Sequence, residues 1–351
     1  MTDLSTPAQF GELQLKNRLV MAPLTRTRAT EDRIPTDLMV EYYTQRANAG
    51  LIIAEATVIA EEANGYERSP GLYNDKQVAA WKKITDAVHA EGSLIISQLW
   101  HVGRISHPDL LKGEIPVSSS AIKPKGTVSL LRPKREYVTP RPLEISEIKA
   151  IVAQYKQAAI YAKAAGFDGV EVHAANGYLL DQFLQSSTNQ REDEYGGSVE
   201  NRARFLLEVV DVLIEVWGAG RVGVHLAPRG DEHDMGDDNP KETFGYVAEE
   251  LGKRQIAFIF TREYLAEDSI SAYLKERSGV PYIANMRLDA ETAKELLASG
   301  KADAVSFGKA YIANPDLYQR LMSNAPLNEL NTTTMYGFGP EGYTDYPKMA
   351  I

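Results

Sequence analysis

The chain has 351 residues, 44% hydrophobic and 25% charged, the profile of an ordinary folded protein. With 38 basic and 48 acidic residues its net charge is −10, which argues against sequence-independent nucleic-acid binding, and zero cysteines exclude disulfides, thiolate metal sites and Cys nucleophiles. No run of about 18 apolar residues could span a membrane, and the opening MTDLSTPAQF lacks the regions of a signal peptide, so a cytoplasmic enzyme is expected.

The first short apolar run is RLVMAPL (18–24), followed by GLIIAEATVI (50–59), SLIISQLW (93–100) and DGVEVHAA (168–175). Then come RVGVHLAP (221–228), IAFIFTRE (256–263), PYIANMR (281–287) and ADAVSFG (302–308). These runs are apolar on both faces, as strands of a covered parallel sheet must be. Between them, ISEIKAIVAQYKQAAIYAKAAG and VENRARFLLEVVDVLIEVW bring apolar residues back every three or four positions and read as helices. DAETAKELLASG places Gly300 just past its last apolar turn, a helix C-terminus. Eight β-then-α units predict an α/β fold, a (β/α)8 TIM barrel forming a single domain over 1–351; an open doubly wound sheet is the alternative. The connection 103–144, rich in Pro, Ser and Lys, is too long for a plain link and is expected to cap the catalytic face as a loop or hairpin.

In such a barrel, chemistry belongs to the C-terminal strand ends. Read in order, they give Pro23-Leu24-Thr25, Ala56, Gln98, His173-Asn176-Tyr178, His225, Asn285-Met286-Arg287 and Gly308-Lys309. Lys309 beside Gly308 reads either as a solvated surface charge or as a phosphate ligand helped by backbone N–H groups. His173, Asn176 and Tyr178 read either as loop and packing residues or as groups converging on a ligand.

The chain resembles the Old Yellow Enzyme family of FMN-dependent ene-reductases over essentially its whole length. The segments that carry the likeness are NRLVMAPLTRTRA, QLWHVGRISHP, GFDGVEVHAANGYLLDQFLQSSTNQREDEYGGSVENRARFLLEVV, SFGKAYIANPDL and YGFGPEGYTDYP. The resemblance implies non-covalent FMN, NADPH or NADH as transient reductant, and small electrophilic alkenes as substrates. It implies that Thr25, Ala56 and Gln98 contact the isoalloxazine, with Pro23 and Leu24 as wall, and that the ends of strands seven and eight meet the phosphate. His173 and Asn176 would hold the substrate carbonyl as an oxyanion hole does, and Tyr178, protonated at neutral pH, would protonate the α carbon after hydride addition. Trp100, Tyr66 and Tyr336 would line the substrate cavity. A monomer or homodimer is expected, and nitrate esters or nitroaromatics are alternative substrates.

Two departures stand out. Strand five ends in His225 where the family usually has an arginine over the flavin N1–C2 region; Arg229 or Arg262 are candidates to compensate. Strand seven, IANMRLDAETA, lacks the glycine often found at the phosphate turn. Other motifs mislead: GFGPEG (337–342) fits G-x-G-x-x-G but contains Pro340 and has no helix behind it, and DEHDMGDD (231–238) misses the EF-hand spacing and reads as a solvated loop after strand five that could cover the site mouth. Two rivals remain. One is a metal-dependent barrel hydrolase using His101, His173, His225 and Asp231, although strand one lacks the histidine pair such enzymes need; the other is a non-catalytic flavin-binding protein.

Overall fold

The eight apolar runs form eight strands in the computed structural model, which describes residues 3–350. They are β1 (Leu19–Met21), β2 (Leu51–Ile53), β3 (Leu94–Trp100), β4 (Val170–Ala174), β5 (Val222–Leu226), β6 (Phe258–Arg262), β7 (Tyr282–Asn285) and β8 (Ala304–Phe307). Each lies inside its predicted run. Successive strands pair in parallel from β1 to β8, and β8 pairs with β1, so the sheet closes into a barrel.

The helices begin where local side chains satisfy their free N–H groups. Asn74, Ser198 and Asp289 each accept a backbone N–H three residues ahead, and Glu144 with Glu147 forms a capping box at the helix Ile145–Ala164. The other long predicted helix is Val199–Trp217. Gly300 takes φ +69°, the left-handed conformation that ends the helix Ala290–Ala298. No helix among the described residues is long and apolar enough to cross a membrane.

Alternation along the strands divides the core in two. Outward residues pack against the helices in one large cluster. Inward residues Val20, Leu51, Ile53, Ile96, Phe258, Phe260, Ile283 and Ala304 form a second, joined by Phe10, Leu13 and Leu15 of an N-terminal hairpin (Ala8–Phe10 with Leu13–Leu15). Glu12 N–H donates to Gly220 C=O just before β5, so this hairpin closes the N-terminal end of the barrel. Gly223 is required there, because a Cβ would overlap the Phe258 ring. The segment 103–144 has a 3-10 turn (Pro108–Leu110), a two-residue parallel ladder (Val117–Ser118 with Arg141–Pro142) and a Thr127–Glu136 bridge.

Candidate active site

The C-terminal strand ends surround a cavity of about 480 Å³. The seventeen residues that the resemblance and the strand ends assigned to catalysis, cofactor or substrate all line it, from Pro23 on β1's loop to Tyr336 near the C-terminus.

On β3, β4 and β5 the inward positions nearest the cavity are Gln98, Trp100, His173 and His225. The His173 and His225 rings stack at 5.0 Å between centroids, and Tyr178 meets His173 edge-on at 4.9 Å and Trp100 at 5.0 Å. Tyr66 stacks on Trp100 at 5.3 Å, and its hydroxyl pairs with that of Tyr178 at 2.9 Å. Burial pushes the His173 imidazole down to about 3, helped by the positive charge of Arg262 and by His233, and holds His225 well below its ordinary value. Both rings are therefore neutral at physiological pH. Burial pushes the Tyr178 phenol well above its usual range, aided by Tyr66, so it keeps its proton.

The turn after β4 sets the third group. Asn176 and Gly177 have φ +59° and +80°; Asp181 accepts the Gly177 N–H at 2.8 Å, and His233 Nδ1 lies 2.6 Å from the Asn176 carbonyl oxygen. Arg262 Nη1 donates to Asn176 Oδ1 at 3.0 Å. A guanidinium has only donors, so Asn176 must turn its oxygen to Arg262. Its N–H2 is left for the cavity. His173 Nδ1, Trp100 Nε1 and His225 Nε2 are buried without a partner among the described residues. Buried polar groups are normally satisfied, so this concentration at one cavity marks a polar ligand's place.

The opposite side has a different character. Asn285 Nδ2 donates to the Ser306 carbonyl and hydroxyl, tying β7 to β8. The next two residues, Met286 (φ +96°) and Arg287 (φ +55°), adopt left-handed conformations without a glycine. A Cβ on Gly308 would sit 3.1 Å from Leu24 Cδ1, tight enough to push that wall. Neither Lys309 nor Arg287 forms an ion pair among the described residues; Arg287 lies 5.4 Å over the Tyr264 ring. Two cations without carboxylate partners at one end of the cavity suit a phosphate.

Several expectations are refined. Arg262 lines the cavity, whereas Arg229 does not; it is engaged by Glu263 at 3.2 Å and Asp268 at 2.5 Å. The loop 231–238 is only partly solvated: His233 packs 5.3 Å from the Tyr178 ring, and Arg104 donates to the carbonyls of His233 and Asp234. His101, required by the hydrolase reading, lies in a different cavity, its Nδ1 accepting the Gly103 N–H. No group of three or more His, Cys, Asp or Glu residues is arranged to hold a metal among the described residues. Sequence reasoning missed Phe260 and Met335, which also line the cavity, and the buried Glu171 behind Gln98. Phe260 and Glu171 share strand parity with Arg262 and His173, the one signal that pointed inward.

Fold and site together define a (β/α)8 barrel whose C-terminal rim suits a ligand with a polar group at one end and a phosphate at the other. The chain belongs to the NADH:flavin oxidoreductase / NADH oxidase family, whose sequence profile matches residues 3–328. The Old Yellow Enzyme homologue from Zymomonas mobilis is 44% identical and superimposes with a TM-score of 0.96, covering 98% of this chain and 99% of that one. Morphinone reductase in complex with tetrahydroNAD is 46% identical, TM-score 0.96, with 100% and 98% covered. A probable flavin mononucleotide-dependent alkene reductase of Leishmania infantum is 41% identical over 98% of this chain and 96% of its own length. The chain is thus an Old Yellow Enzyme family member, an FMN-dependent flavin oxidoreductase with a nicotinamide reductant. Among the described residues, the unpartnered His225 Nε2 and the unpaired cations Arg287 and Lys309 suit that cofactor's polar ring and its phosphate respectively.

Proposed function

We propose that this chain reduces the activated C=C bond of α,β-unsaturated carbonyl compounds such as enones and maleimides. FMN bound in the cavity supplies the hydride that the alkene receives. In this reading Pro23, Leu24, Thr25, Ala56, Gln98 and His225 hold the ring, and Asn285, Met286, Arg287, Gly308 and Lys309 hold the phosphate end. His173 and the Asn176 N–H2 donate to the substrate carbonyl oxygen, where negative charge grows as the β carbon is reduced; donors placed for that charge favour the transition state over the ground state. Tyr178 O–H protonates the α carbon, and Tyr66 O–H, 2.9 Å away, can donate to the phenolate left behind. Trp100, Tyr66 and Tyr336 shape the space for the alkene.

The observation that carries this reading is the orientation of Asn176: Arg262 takes its oxygen, so the amide faces the cavity as a donor beside a neutral His173. We also take residues 1–351 as one FMN-binding domain capped by segment 103–144, supported by the Arg104 bonds to the loop beside Tyr178. We take its location as cytoplasmic, which suits an enzyme drawing on NAD(P)H. The net charge of −10 favours small-molecule partners over nucleic acid, and sedimentation would decide between monomer and homodimer. The deciding experiment is an anaerobic visible spectrum of purified protein, with NADPH or NADH added first and 2-cyclohexenone second. A yellow band bleached by the nicotinamide and restored by the enone is expected. Colour without enone-dependent restoration would overturn the reading.

A further inference from the structure

The barrel interior holds an acidic side chain that the proposed chemistry leaves unused. Glu171 precedes His173 by two residues on β4, fully buried and outside the cavity wall. Its Oε2 accepts from Gln98 Nε2 at 2.7 Å, while Oε1 has no partner among the described residues. The same Gln98 nitrogen lies 3.2 Å from His225 Nδ1, and His225 Nε2 is also unpartnered. Glu171, Gln98 and His225 therefore form a relay from the closed interior to the cavity, which Gln98 and His225 line.

A side-chain amide turned end for end keeps its shape, so its partners decide which end faces where. An ionised carboxylate only accepts. It demands the N–H2 end of Gln98, whose second hydrogen then meets His225 Nδ1. A ring nitrogen that accepts leaves the proton on the other, so Nε2–H faces the cavity. With the amide reversed, its oxygen meets both neighbours. That arrangement needs a protonated Glu171 and a proton on His225 Nδ1, and it turns Nε2 into an acceptor.

We propose that Glu171 is a positioning residue whose protonation selects the orientation of the Gln98 amide and, through it, the His225 tautomer presented to the cofactor cavity. The consequence for the cofactor rests on the function proposed above; the relay itself belongs to the chain alone. An N–H facing a ring that gains negative charge on reduction stabilises it, and a lone pair opposes it.

Among the described residues no cation forms an ion pair with Glu171. Neighbouring β3 brings Gln98, β5 brings Gly223 and His225, and its own strand brings His173; Val20, Ile53, Ile96, Phe258, Phe260 and Ile283 of the inner cluster are apolar. Burial, offset in part by the Gln98 hydrogen bond, pushes the carboxyl up to about 8. Glu171 then changes charge within an accessible pH range, while His173 and His225 stay neutral.

The test is 15N NMR of histidine-labelled, cofactor-free protein from about pH 6 to 10, a range spanning the shifted carboxyl, with His225 assigned by loss of its signals in His225→Asn. His225 is expected to move towards the Nε2–H tautomer as pH rises, in a single titration that Glu171→Gln abolishes. In the holoprotein, the flavin midpoint potential should show a matching break against pH that Glu171→Gln removes. If Glu171→Gln fails to fold, Gln98→Met interrupts the relay and should abolish the same tautomer change. A wild-type tautomer independent of pH, or an unchanged titration in the variant that folds, overturns the proposal. A wild-type protein that binds no FMN would sink the proposed function instead, leaving the cofactor-free measurement intact.

Discussion

At the N-terminal end of the barrel, Phe10, Leu13 and Leu15 meet Val20, Phe258 and Ile283 in a wholly apolar cluster. At the C-terminal end, His173, His225 and Trp100 each bury a nitrogen without a partner among the described residues. Each such group costs about 1–3 kcal/mol of folding free energy. The closed end must therefore supply stability that the open end forgoes, and mutations at the two ends should separate cleanly into loss of fold and loss of chemistry.

The largest effect tests the open end. Tyr178→Phe removes one hydroxyl, bonded to that of Tyr66, and leaves the ring packing against His173 and Trp100. Loss of a general acid should slow the alkene-dependent step by about 10²–10⁴-fold. Stopped-flow measurement should find flavin reduction by the nicotinamide and the unfolding midpoint nearly unchanged. A comparable fall in both half-reactions would place Tyr178 in binding rather than proton transfer.

At the closed end, Phe258→Ala should cost about 3–5 kcal/mol, the usual price of a large core cavity. Denaturant unfolding measures it, and the flavin spectrum of the protein that remains folded should match wild type. A changed spectrum would mean that the two ends are coupled through Phe258 and its β5 partner Gly223, two residues before His225.

Arg262→Met sharpens the comparison within the open end. It removes a charge-assisted hydrogen bond, worth about 1.5–3 kcal/mol, that holds the Asn176 amide with its donor inward. The enone KM is expected to rise by roughly 10- to 100-fold, the same energy expressed as affinity, with nicotinamide oxidation little affected. Unchanged enone kinetics would remove Asn176 orientation from the account.

Acid should attack the open end first. The His173 ring, at about 3 in the folded state against an ordinary 6.5, stays neutral when the unfolded chain protonates. Above pH 6.5 neither state binds the proton; as pH falls from 6.5 to 3, only the unfolded state does, and stability is lost. Glu171 has the opposite sign: at about 8 against 4.5, its contribution is complete below 4.5 and lost as pH rises towards 8. Urea midpoints against pH should show His173→Gln reducing the acid loss and Glu171→Gln reducing the alkaline one. Identical profiles in the variants would remove these groups as the cause.

How far the sequence could lead follows from the same contrast. The barrel was legible because strands covered on both faces must be apolar throughout, and eight such runs recur with helices between them. The imidazole at the end of β4 and the amide and phenol after it were legible because polar types in a row at a strand end are conspicuous. Glu171 was not picked out: its parity with His173 on β4 points inward, but it lies one pleat below the strand end where the chemistry was sought. Nor does sequence distinguish Arg262 from Arg229: one ends on the cavity and the other on Glu263, a matter of tertiary placement. The loop 231–238 looked solvated by composition, yet His233 ties it to Asn176 in the site and Met235 meets Arg104 of the segment 103–144.

The smallest effect concerns the turn after β7. Met286 holds φ +96° and Arg287 φ +55°, conformations disfavoured for residues with a Cβ. Such strain persists only where surrounding structure enforces it, here the Asn285 bonds to Ser306 and the helix capped by Asp289. Glycine adopts φ +96° without that penalty but gains freedom when unfolded, so the two effects partly cancel. Met286→Gly should therefore raise stability by no more than about 1 kcal/mol, measured by denaturant unfolding of the cofactor-free protein. Destabilisation would show that Met286 is held by side-chain packing against the cavity wall, and that this turn belongs with the closed end of the barrel rather than the strained, functional one.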